Sequence, residues 1–287
     1  MPLVTRHGVD PPAHPVLVVA LEGWIDAGFA AATAAATVLE QVTTERYATF
    51  DADELVDLRS RRPRMRIDDG VRADVTWSEP QLLVGVDRLG AGIALLVGPE
   101  PDYRWRAFSA EVTALAREIG CRLVVGLGGF PTATPHTRPV RLASTASSET
   151  LARAVGFMPG SIDVPAGIAD VVGLECSRAG IASVGLWARV PHYVAGMAFP
   201  PAALALVEGL VSISGLVVDV EELRESAEAG RHRVDELIAQ SSEHLAMVRR
   251  LEDQFEEGDE LEVPGADDLP SGDEIAAELE RYLRGES

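Results

Sequence analysis

The sequence predicts an α/β fold: a mostly parallel sheet flanked by helices, with a C-terminal α-helical extension. Three observations carry this prediction. Short, unbroken apolar runs at residues 16–21 and 92–97 have the pattern of strands buried on both faces. Amphipathic stretches of helical period alternate with them. After Pro200-Pro201 the pattern becomes purely helical and strongly acidic.

The first run, 16–21, ends at Glu22-Gly23-Trp24, and the Ala-rich stretch 27–42 then reads as a helix with Asp26 as its N-cap. Strands are expected near 45–50, 71–77 and 82–86, ahead of the buried one at 92–97. Phe108, Val112, Leu115, Ala116 and Ile119 recur at helical spacing. A strand at 121–126, a helix at 166–178 and a strand at 182–190 complete the body. Residues 202–214 read as a helix. From Leu223 a heptad register places seven apolar residues among ten a and d positions, which fits a packed helix or helical hairpin. Gly230, Ser241 and His244 interrupt the seam, and His244 reads as a seam or surface residue. The expected organisation is an α/β domain over 1–200 and an acidic helical extension over 201–287. The extension includes a mobile linker near 256–270, and a last helix carries Ile275, Leu279, Tyr282 and Leu283 on one face.

Composition narrows the functional classes. The chain has 287 residues, 47% apolar and only 5% aromatic, enough for a large aliphatic core. All 25 basic residues are arginine, and there is no lysine or asparagine, a bias that high-GC codon usage accounts for. The net charge of −20 repels phosphate backbones, so nucleic acid is not an expected partner. Residues 219–287 hold 22 acidic residues against 7 arginines, a net charge of −15, which leaves −5 for the first 218. Cys121 and Cys176 lie in apolar surroundings and read as buried free thiols. No apolar run approaches the roughly 18–20 residues of a membrane span, and residues 1–7 lack a signal-peptide pattern. The expected compartment is the cytoplasm.

Two segments carry candidate chemistry. In the turn after the first strand, Gly23 and Gly28 permit close backbone approach, and Glu22 and Asp26 offer carboxylates to a cation or polar substrate. A turn, a helix cap and a packed Trp24 account for the same residues. The second segment, 126–139, reads as a Gly-rich loop after a buried strand. Gly128 and Gly129 would turn backbone N–H groups toward a ligand; His136 is a candidate base, and Arg138 and Arg141 are anion-binding groups. A rigid crossover stiffened by Pro131, Pro135 and Pro139 is the other reading. His192-Tyr193, at another strand end, either joins this crevice or packs. Ser144, Thr145, Ser147 and Ser148 lack a nucleophile-elbow pattern, and neither a lysine phosphate loop nor a metal-ligand spacing is present. No catalytic residue, cofactor or metal is assigned.

Together, Glu22-Gly23-Trp24-Ile25-Asp26-Ala27-Gly28 and the loop running into Pro135-His136-Thr137-Arg138-Pro139 resemble the proteasome assembly chaperone family. The acidic helical extension resembles the long bacterial form of high-GC Gram-positive bacteria. The similarity covers roughly residues 10–260. It implies an α/β domain related to phosphorylase/hydrolase-like folds, and protein partners that include proteasome components. Eukaryotic members assemble the proteasome core as heterodimers; the bacterial members are functionally obscure. The matching positions, with Thr137 and Pro131 among them, inherit no established catalytic role.

The expectation is a non-catalytic interaction or assembly factor, homo-oligomeric, with a trimer as the candidate number. The alternative is a small-molecule enzyme of phosphorylase/hydrolase-like type using the strand-end crevice. Convergence of Glu22, Asp26, His136 and Arg138 on one open pocket would favour the enzyme. Arg138 is expected to pair with Glu22 or Asp26 and fasten two loops.

Overall fold

The computed structural model describes residues 2–23, 25–149, 151–152 and 161–257. Ten strands are present among them: β1 (Val4–Arg6), β2 (Val16–Glu22), β3 (Thr43–Phe50), β4 (Arg64–Asp68), β5 (Val71–Thr76), β6 (Gln81–Val86), β7 (Gly92–Pro99), β8 (Leu123–Thr132), β9 (Leu142–Ala146) and β10 (Ala182–Pro191). Eight form one sheet in the order β1-β3-β6-β7-β2-β8-β10-β9; β4 and β5 pair as a separate hairpin. The α/β class holds. Its parallel part is the four-strand centre β7-β2-β8-β10, and the outer pairings are antiparallel, so the sheet is mixed rather than mostly parallel. The cause is local. Asp87 closes a tight turn between β6 and β7 by accepting from the N–H groups of Leu89 and Ala91, and so short a connection joins only antiparallel strands.

The helices are α1 (Ala30–Gln41), α2 (Ala52–Leu55), α3 (Trp105–Glu118), α4 (Ile168–Arg178), α5 (Pro200–Ser214), α6 (Glu221–Ala239) and α7 (Ser242–Glu257). Successive side chains of a strand point to opposite faces, and β2 divides accordingly. Val16 and Val18 pack with Ala30, Ala34 and Val38 of α1, Ala203 and Val207 of α5 and Val234 of α6. Leu17 and Val19 pack with Phe108, Val112 and Leu115 of α3 and Val172 and Cys176 of α4. Burial of four consecutive residues, Val16 to Val19, is what the unbroken apolar run foretold. Cys121 and Cys176 are buried thiols, and burial pushes Cys121 up to about 11.

Packing does not break at residue 200. Ala202, Ala203, Leu206, Val207 and Leu210 of α5 are fully buried in the same core as the central strands. The heptad register holds through α6, where Leu223, Ala227, Gly230 and Val234 are buried, and then slips: Ile238 is buried and Leu237 exposed. The chain turns at Gln240-Ser241 into α7, which buries Val248 and Leu251 and leaves His244 exposed. The extension is thus a helical hairpin laid on the α1–α5 face. From residue 258 onward, the expected linker and last helix lie outside the described residues, as does Trp24.

Candidate functional site

The parallel strands β2, β7, β8 and β10 end on one edge of the sheet, at Glu22, Pro99, Thr132 and Pro191. Among the described residues, the sequence-predicted site residues lie at or near this edge. They fall into separate groups.

In the first-strand turn, the Asp26 carboxylate accepts from the backbone N–H groups of Ala31 at 2.7 Å and Ala32 at 3.0 Å, so it terminates α1 rather than facing a ligand. Gly28 has φ +69°, its N–H donates to the Ala195 carbonyl, and its own carbonyl accepts from Phe199. A Cβ there would stand 2.9 Å from Phe199 Cβ, so only glycine fits between these backbones. Glu22 is exposed, and its carbonyl accepts from the N–H of Glu100. Gly23 lies against the side chains of Glu100 and Arg61.

Gly128 and Gly129 are not in a loop. β8 extends through them to Thr132, paired in parallel with Trp187 and Ala188 of β10, which corrects the expectation that their N–H groups face a ligand. The glycines serve packing: the Trp187 ring lies over Gly128, and a Cβ on Gly129 would meet the Ala27 carbonyl at 2.8 Å. Glycine in a strand also marks close approach of another group, and that is the meaning here.

The true loop begins after Thr132. His136 is almost completely buried. Its backbone N–H donates to Tyr193 Oη at 2.8 Å, its Nδ1 lies 2.7 Å from the same oxygen, and its Nε2 lies 3.0 Å from Asp235 Oδ1 of α6. Because the phenol oxygen already accepts the backbone N–H, its proton is placed to go to Nδ1, and Nε2–H then faces Asp235. Thr137 Oγ1 donates to Glu252 Oε1 of α7 at 2.5 Å, and Arg138 Nη1 donates to that same oxygen at 3.3 Å. The guanidinium of Arg141 sits 3.9 Å above the ring of Phe255. These four residues therefore grip the acidic hairpin α6–α7. Arg138 pairs with Glu252, not with Glu22 or Asp26 as expected, because the docked extension brings a carboxylate closer than the first-strand turn does.

Tyr193–His136–Asp235 has the outline of a hydroxyl–imidazole–carboxylate chain. Its hydroxyl is held back from nucleophilic use: burial, with the nearby negative charge of Glu252 and Asp235, outweighs the His136 N–H bond and pushes Tyr193 up to about 12. Two grooves adjoin the cluster. One, of about 440 Å³, lies between Tyr193, Met197 and the turn of the helical hairpin at Leu237, His244 and Met247. The other, of about 280 Å³, is lined by His136, Thr137, Glu228, Arg231, His232 and Asp235. Glu22, Asp26 and Arg138 line neither, so the four diagnostic residues do not share one of these grooves.

Sequence reasoning missed Asp235, Glu252 and Phe255, whose roles depend on where the extension docks. It also missed Glu100, a buried carboxylate at the end of β7 that accepts from Ile168 N–H at the start of α4. Burial raises its pKa, against the pull of that N–H and of Arg61. A lone carboxylate after an apolar run and before Pro101 was the available signal.

The PAC2 family matches residues 20–238 of the chain. A solved protein of unknown function from Mycobacterium tuberculosis, Rv2714, is 34% identical, with TM-score 0.81 over 88% of this chain and 91% of that one. The proteasome-assembly chaperone homologue Rv2125 of the same organism is also 34% identical, with TM-score 0.75 over 81% and 99%. A PAC2 family protein from Streptomyces avermitilis is 38% identical, with TM-score 0.73 over 82% and 99%. No curated protein matches the sequence.

Proposed function

The chain belongs to the PAC2 family, and on that premise we propose that it is a non-catalytic protein-interaction factor of the assembly-chaperone type. One observation carries the reading. The polar loop residues most suited to chemistry, His136, Thr137 and Arg138, spend their hydrogen bonds on the chain's own acidic helices. A loop so engaged is built to hold a helix, not to turn over a substrate. The similarity to a protein described as a proteasome-assembly chaperone homologue gives the partner class: subunits of a proteasome-like particle. A homo-oligomeric state, with a trimer as the candidate, and a cytoplasmic location belong to the same proposal.

The test is direct. Full-length protein is mixed with purified α-type and β-type proteasome subunits and the masses are followed by light scattering. A complex containing this chain and unassembled subunits supports the reading. Subunits that assemble at the same rate and with the same mass whether or not the chain is added overturn it.

The alignment of Tyr193, His136 and Asp235 favours a second reading, an enzyme of phosphorylase/hydrolase-like type. A screen of nucleoside, ester and peptide substrates decides it. An activity that disappears in His136→Ala while the melting temperature holds would replace the interaction reading.

A further inference from the structure

Among the described side chains of α7, Val248 and Leu251 alone are buried. Helix α5, of nearly the same length, buries more than half of its residues. The ties of α7 to the loop at 135–141 gather near its C-terminal end. Glu252 takes the Thr137 hydroxyl and the Arg138 guanidinium, and Phe255 lies under Arg141. The Arg138–Glu252 pair is partly exposed, and such pairs add little to stability. The start of α7 is capped locally: Ser241 Oγ and the Ser241 carbonyl accept from the N–H groups of His244 and Leu245. That cap travels with the helix. Packing under the elbow at Gln240-Ser241 is incomplete, since the groove of about 440 Å³ there is lined by Val194, Met197, Leu237, Ile238 and Met247. A helix with few buried side chains, partly exposed ties and open space at its hinge belongs to the least stable part of a fold.

We propose that α7 is an internal stand-in for a client, and that its seat on the 135–141 loop receives an acidic amphipathic helix of a partner protein once α7 swings away about Gln240-Ser241. The contacts of α7 define what that helix presents. Val248, Leu251, Glu252 and Phe255 stand at i, i+3, i+4 and i+7, which is one face of a helix. Two aliphatic groups are buried, a carboxylate meets a hydroxyl and a guanidinium, and an aromatic ring lies under a second guanidinium. Charge complementarity selects the occupant. The loop carries Arg138 and Arg141, and no acidic residue lies between Glu118 and Glu149 in the sequence, so the seat draws an acidic helix and repels a basic one. The groove that α7 leaves open admits one more apolar side chain, an advantage a client has over α7. The contact is autoinhibitory. A helix tethered by a short link acts at an effective concentration on the order of 1 mM, so a client must bind better than α7 or find α7 weakened. The inference rests on the interaction reading, whose partner it describes.

The probe is a fluorescein-labelled peptide with the sequence of residues 242–257, titrated with full-length protein and followed by fluorescence anisotropy. In L251S/E252R the chain's own α7 no longer fits, while the loop is untouched. This full-length variant should bind the peptide about tenfold or more tightly than the wild type, whose seat is filled. An unrelated helical peptide that keeps only the four anchors should bind the variant too, and exchanging its glutamate for lysine should remove the binding. Native-state hydrogen exchange of the wild type needs no variant: the amides of α7 should exchange well ahead of those of α5. Should L251S/E252R fail to fold, E252K and the exchange measurement decide instead. Equal affinity of variant and wild type, binding indifferent to the four anchors, or α7 amides as protected as those of α5 overturns the proposal. Peptide displaced from the variant by added wild-type protein would assign the seat to α7 of a second copy and overturn the client helix. Peptide binding without a complex with proteasome subunits supports the seat and removes only that partner class. A subunit complex without peptide binding overturns the seat and leaves the interaction reading standing.

Discussion

Thr137 and Glu252 lie 115 positions apart, yet the threonine hydroxyl donates to Glu252 Oε1 at 2.5 Å. Arg138 shares that oxygen, and Arg141 caps Phe255 three residues further on. One short loop thus holds one turn of α7. Removing Glu252 leaves a hydroxyl and a guanidinium bond without their acceptor. The Arg138 and Glu252 side chains are 32% and 25% exposed, so water compensates in part and the loss falls below that of a fully buried pair. Glu252→Ala is expected to destabilise by about 1–2 kcal/mol in urea melts. Limited proteolysis should cut within α7 sooner than in the wild type. Unchanged cleavage kinetics would show that the contact does not seat the helix.

A second consequence concerns Tyr193. Its hydroxyl accepts from the buried His136 backbone N–H and contacts Nδ1, in a part-buried setting. Tyr193→Phe keeps the ring and orphans a buried N–H, an expected loss of about 1–3 kcal/mol. In the wild type, ¹⁵N spectra of His136 should place its proton on Nε2, facing Asp235. A proton on Nδ1 would contradict the hydrogen-bond assignment.

Asp26 gives a local test of the first-strand motif. Because it satisfies two N–H groups of α1, Asp26→Ala should cost about 1–2 kcal/mol, and Asp26→Asn distinctly less. Gly28→Ala should be worse than either. Its positive φ and the nearness of Phe199 add strain to a clash. Thermal melts rank the three. An Asp26→Ala protein as stable as the wild type, with an altered ligand response, would return the residue to a binding role.

These residues also show what a sequence reveals and what it hides. Val16 to Val19 announced a doubly covered strand because every side chain must leave water. Phe108, Val112 and Leu115 announced α3 because one face alone is apolar. Gly128 and Gly129 misled: glycine permits a ligand-facing loop, but it equally permits a strand under a tryptophan, and Trp187 lies far along the chain. The loop at 135–141 was legible as special, and its partner was not. A carboxylate for Arg138 was expected nearby, and only the docking of α7 makes Glu252 the nearer one. Strand β4, Arg64–Asp68, was hidden by its arginines, and only its partner near 71–77 was expected.

Glu100 yields a prediction whose sign runs against intuition. It is buried at the end of β7, with its carboxylate on the Ile168 N–H at 3.0 Å. Burial raises its pKa above the ordinary carboxylate value, and Asp102 adds to that; Ile168 N–H and Arg61 only partly offset it. A carboxyl whose folded-state pKa is raised binds its proton more tightly in the native than in the unfolded chain. Its ionisation therefore weakens the fold as pH climbs from the unfolded value of about 4.3 through the folded one. Below the unfolded value the penalty is absent. Glu100→Gln retains an oxygen for the Ile168 N–H and removes the charge. The variant should be more stable than the wild type at pH 7, and the gap should close as the pH approaches about 4. Urea melts of both proteins at several pH values measure it. A variant that is less stable at pH 7, with a gap indifferent to acid, would mean that the charged form is wanted there. The end of β7 would then be the place to look for a bound cation or base.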